Sequence, residues 1–70
     1  MSKEEYIKKK KFLLGKLSES IQGLEKIKEL IENGKAIENE DWVDAATPFR
    51  DFAMNFHAVN DYVREHESEN

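Results

Sequence analysis

Residues 14–34, LGKLSESIQGLEKIKELIENG, decide how this chain folds. Leu14, Leu17, Ile21, Leu24, Ile27 or Lys28, and Ile31 recur at steps of three and four, the spacing of one face of an α-helix. Asn33-Gly34 closes the stretch, because glycine enters the left-handed cap conformation at little cost. Upstream, Ser2-Lys3-Glu4-Glu5 has the form of a capping box, a hydroxyl for an early backbone N–H with glutamate three residues on. Together these signals predict a helix over residues 3–33, about 45 Å long at 1.5 Å per residue. Gly15 and Gly23 lie inside it, each costing roughly 1 kcal/mol relative to alanine. Tyr6, Ile7 and Phe12 fit the stripe less well. Residues 1–14 therefore either continue the helix or form a short separate one, with Gly15 at the break.

A second stripe follows: Trp42, Ala46, Phe49, Ala53, Phe56, Val59 or Asn60, and Val63. Lys35 to Glu38 form the connection, and Asn39 is the expected N-cap. Glu40, Asp41 and Asp44 then place negative charge where the helix dipole favours it. Pro48 allows two arrangements. Thr47 caps a fresh helix beginning at Pro48, or one kinked helix runs through and loses the bond to the Asp44 carbonyl. The stripe keeps its phase across Pro48, which favours the continuous helix. From Arg64 onward the chain is polar and expected to fray.

The expected fold is all-α: an antiparallel helical hairpin, one domain over residues 1–70, assembling as an oligomer. Two helices cover two apolar stripes only partly, so neighbouring chains must cover the rest. Leu17, Ile21, Leu24, Trp42, Phe49 and Phe56 are assigned to that oligomer interface. Seventy residues without cysteine cannot be stapled by disulfides, and so short a chain relies on helix packing or assembly.

The net charge of −4 is unevenly spread. Residues 1–16 carry six lysines against two glutamates, net +4, which leaves −8 for the remainder. A basic end on an acidic body suits a small anion or head-to-tail pairing, whereas the acidic body opposes duplex DNA. The longest apolar run, Phe12-Leu13-Leu14, is far too short to span a bilayer or serve as a signal peptide. A cytoplasmic location is expected.

Catalysis is not expected. Ser2, Ser18, Ser20, Thr47 and Ser68 occupy no nucleophile elbow or glycine-rich turn. His57 and His66 are nine apart and do not share a face at adjacent turns, so no metal or other cofactor is implied. Lys8–Lys11, flanked by Tyr6 and Phe12, is the best candidate for meeting an anion: lysines neutralise phosphates and a ring stacks on a base. A solvated lysine face is the plainer alternative. Core packing is likewise the plainer account of Trp42, Phe49, Phe52 and Phe56.

Thr47-Pro48-Phe49-Arg50-Asp51-Phe52-Ala53-Met54, followed by Ala58, resembles the second helix of the phage helical-hairpin "sponge" proteins. That family counters cyclic-oligonucleotide (CBASS) and Thoeris defence. Trp42-Val43 ahead of the threonine, and a first helix alternating Leu/Ile with Glu/Lys, match it in outline. The resemblance implies a non-enzymatic homo-oligomer, in the host cytoplasm if phage-encoded, that sequesters an anionic nucleotide signal in pockets between hairpins. It implies ligand contacts from Tyr6, Lys16 and Thr47, whereas the family's arginine after the methionine has no counterpart here; Lys9, from the lysine run, and Arg50 are also assigned to the ligand site. Tyr6, Leu24-Glu25, Ala45-Ala46 and Arg50 are similar to the small Hha-type nucleoid modulators. That likeness, and the acidic second half in the manner of an anti-CRISPR protein, imply the alternative: a helical module that binds and inhibits a host protein.

Overall fold

The computed structural model describes residues 1–66, and residue 67 by its helical backbone. Two helices, α1 (Lys3–Glu32) and α2 (Asn39–Glu67), pack against each other as an antiparallel hairpin 51 Å long, 20 Å wide and 15 Å thick. The helix ends follow from local chemistry. Ser2 is extended and its hydroxyl accepts from the Glu5 N–H at 3.2 Å, as the capping box requires. At the other end Gly34 takes φ +64°. Its N–H donates to the Ile31 carbonyl at 3.1 Å, and the Lys35 N–H to the Leu30 carbonyl at 2.9 Å. This pair of bonds is a Schellman closure, and it satisfies carbonyls that the helix leaves open.

Four expectations are corrected or resolved. α1 runs unbroken from Lys3 to Glu32, so Gly15 marks no break and no separate N-terminal helix forms. Asn39 is the first residue of α2 rather than its cap. Glu38 takes the cap position, and the Asp41 carboxylate reaches back to accept its N–H at 2.9 Å. Pro48 lies buried inside one continuous α2, not at the start of a new helix. The polar end remains helical through Glu67, and residues 68–70 of the expected fraying tail lie outside the described residues.

The seam between the helices is not the pair of stripes. On α1 it follows Tyr6, Leu13, Leu17, Ser20, Gly23, Ile27 and Leu30; on α2 it follows Asp41, Ala45, Pro48, Phe52, Val59 and Tyr62. Leu14, Ile21, Leu24 and Ile31 stand one step around the helix and are 53–63 % exposed. Trp42 and Phe49 do the same on α2, at 53 % and 54 %.

Small residues explain the choice of seam. A Cβ built on Gly23 would lie 2.7 Å from the Ala45 Cα, so the backbones touch there. Beside this contact the Ser20 hydroxyl donates to the Ala45 carbonyl at 2.8 Å. Close approach needs Gly, Ala and Ser, which a Leu/Ile stripe does not supply. Among the described residues Leu13, Ala45 and Pro48 are the buried apolar side chains, so the core is thin.

Candidate binding surface

In an antiparallel pair, one residue forward from the seam turns toward the same side on both helices, and one residue back turns to the other. One ion pair verifies this: Lys16, just before Leu17, meets Asp51, just before Phe52, at 3.6 Å. Lys26, just before Ile27, reaches the seam residue Asp41 from that same side at 3.2 Å. Both bridges tie the helices along one edge. The forward positions therefore share the opposite side: Leu14 and Ile21 on α1, Trp42 and Phe49 on α2. Both apolar stripes thus lie on one broad, solvent-facing side of the hairpin. Of the six residues assigned to an interface, Ile21, Leu24, Trp42 and Phe49 are exposed there, while Leu17 and Phe56 are half-buried at its margin.

The five expected ligand contacts do not converge within one chain. Tyr6 is half-buried and stacks on Tyr62, ring centroids 4.4 Å apart and planes 17° apart. Tyr62 stacks in turn on His66 at 3.9 Å, and the Lys10 ammonium lies 5.8 Å from the Tyr6 ring. The Tyr6 ring is thus already engaged in closing the open end of the hairpin. Lys16 is similarly committed, to Asp51, to Glu19 at 3.7 Å and to the Phe12 ring at 5.5 Å. Lys9, Thr47 and Arg50 are exposed. Thr47 stands fifteen residues along α2 from Tyr62, the partner of Tyr6, which is roughly 22 Å at the helical rise.

Among the described residues Asp41 is the one group whose acidity is clearly displaced. The Glu38 N–H and then the Lys26 ammonium stabilise its carboxylate and hold its pKa below the ordinary aspartate value, outweighing desolvation, which acts the other way. Its position at the first turn of α2 makes this a structural device. Among the described residues no three His, Asp or Glu side chains gather in a way that could hold a metal ion. None of the described helices is long and apolar enough to cross a membrane.

Reading the sequence missed Ser20, Gly23 and Ala45 as the point of closest approach, Tyr62 as the partner of Tyr6, and His66 as the ring stacked on Tyr62 in turn. The signal for the first set was present: small residues recur at 20, 23 and 45 between larger ones. No family model matches the chain, and neither a curated protein nor a solved structure matches it.

Proposed function

We propose that this chain is a non-enzymatic association module that acts through the apolar side of the hairpin. The observation that carries this reading is the alignment of both stripes on one open face, while the ion pairs bridging the helices lie on the opposite edge. An exposed patch of this kind on a small helical protein marks a protein contact. The Thr47–Met54 segment supports a phage-type anti-defence setting, in which a protein bound there belongs to the host.

Co-expression of tagged and untagged chains, followed by affinity capture, tests the reading. Stoichiometric recovery of another protein or of the untagged copy is expected, with loss on Ile21→Glu. Recovery of neither, or capture indifferent to Ile21→Glu, overturns it.

A second reading, capture of an anionic nucleotide, is favoured by Lys8, Lys9 and Lys11, which are exposed and join no ion pair among the described residues. The separation of Tyr6 from Thr47 means that neighbouring copies would have to complete such a pocket. A thermal-shift screen against cyclic di- and trinucleotides and cyclic ADP-ribose isomers tests it. A rise that Lys9→Glu removes supports capture; no rise with any ligand overturns it.

A further inference from the structure

The apolar side is self-complementary under a twofold rotation, and we infer that its occupant is a second copy of this chain, with α1 lying antiparallel on α1 of the other copy. On α1 the outward side follows a strict three–four repeat, Ile7, Lys10, Leu14, Leu17, Ile21, Leu24, Lys28, Ile31, all exposed except Leu17, which is half-buried between this side and the seam with α2. This is a two-position coiled-coil seam left without a partner helix. Reversing the helix about residue 19 maps the repeat onto itself. Ile7 then meets Ile31 of the second copy, Leu14 meets its Leu24, and Leu17 meets its Ile21. The apolar layers are all matched.

α2 has its own centre of reversal. About Phe49, Trp42 falls on Phe56 of the second copy and Phe49 falls on itself. The small Ala46 and Ala53 lie to either side and leave room for the rings. The two centres belong to different helices, yet the fold sets them level. The Gly23–Ala45 contact and the Tyr6–Tyr62 stack each pair residues whose numbers add to 68, and so do 19 and 49. One twofold axis therefore serves both helices, as an isologous dimer requires.

Charge selects the antiparallel direction. The flank of the α1 seam away from α2 runs from Lys8 and Lys11 through Gly15, Ser18 and Gln22 to Glu25, Glu29 and Glu32. Antiparallel stacking sets the lysines of each copy against the glutamates of the other, with Lys11 closest to Glu25. Parallel stacking would set lysine on lysine and glutamate on glutamate. Lys10 and Lys28 fall opposite each other in the seam, but their ammoniums turn away, to the Tyr6 ring at 5.8 Å and to Glu32 at 3.9 Å. Their stems remain to cover apolar surface. The product is a four-helix bundle.

This inference rests on the association reading and names the partner. The chain has no cysteine, so each introduced thiol reports alone. Light scattering on the full chain should give the dimer mass. Under mild oxidation, Ile7→Cys and Ile31→Cys should cross-link when mixed and not singly, because Ile7 lies about 36 Å from its own copy. Phe49→Cys should cross-link to itself. Ile21→Glu, at a position already exposed in the single chain, should keep the helical circular dichroism signal and weaken the dimer by about a hundredfold or more, since the charge would be buried without a partner. Lys11→Glu should weaken it, and adding Glu25→Lys should restore it.

A monomer mass at millimolar concentration overturns the inference, as does self-cross-linking of Ile7→Cys. If capture then still recovers a different protein in an Ile21-dependent way, the association reading stands and only its partner was misassigned. If nothing is captured, both fall.

Discussion

Two glycines of α1 face opposite consequences. Gly15 has no atom within 4 Å of where a Cβ would go, so Gly15→Ala should stabilise the helix by up to about 1 kcal/mol. A Cβ on Gly23 would lie 2.7 Å from the Ala45 Cα, so Gly23→Ala must push the helices apart. The gain in helix propensity is then outweighed by overpacking, for a net loss of about 1–2 kcal/mol. Urea melts of both variants decide this, and a stabilised Gly23→Ala would refute the contact. Ser20→Ala should cost about 1 kcal/mol by removing the only side-chain donor to the Ala45 carbonyl among the described residues. Asp41 sets a pH dependence whose sign follows from its lowered pKa. Its contribution is present above the unfolded value near 3.8 and is lost as pH falls through the depressed native value. Thermal melts from pH 7 down to pH 2 should show a smaller acid-induced drop in Asp41→Asn than in the parent. An equal drop would assign the acid sensitivity elsewhere.

At the level of the helices, what was legible was local. The Ser2–Glu5 cap and the Gly34 closure depend on a few adjacent residues, and both formed where the residue types placed them. The boundary at Asn39 slipped by one, because Asp41 caps Glu38 from inside the helix rather than from its front. The rotation of each helix was not legible. Periodicity tells which residues share a face but not what that face meets. The stripes are stronger in apolar residues than the seam, so they drew the assignment. The seam was chosen instead by the close approach at Gly23 and Ala45, a property of two segments together. Tyr6 was misleading for the same reason: beside Lys8–Lys11 it resembles a ligand shelf, and only the return of α2 brings Tyr62 against it. At this scale Tyr62→Ala should unstack Tyr6 and fray the open end. Faster amide exchange at residues 3–10, with the Ile27–Leu30 turn unchanged, is the expected signature.

For the whole molecule, a core of three buried apolar side chains among the described residues leaves a hairpin with little to hold it alone. If folding and association are coupled, the melting temperature must rise with protein concentration. Circular dichroism melts across a hundredfold concentration range should move upward by several degrees, whereas Ile21→Glu should melt lower and independently of concentration. Added salt should weaken association moderately without abolishing it, since it screens Lys11 and Glu25 at the rim but leaves the apolar layers intact. The confinement of the Lys16–Asp51 and Lys26–Asp41 bridges to a single edge has a final consequence. A slab that is adhesive on one broad surface and ionic on its reverse stops growing once two slabs have joined. Such a molecule saturates as a discrete particle instead of polymerising into filaments, and its solutions should stay clear at concentrations where a two-faced helix would gel.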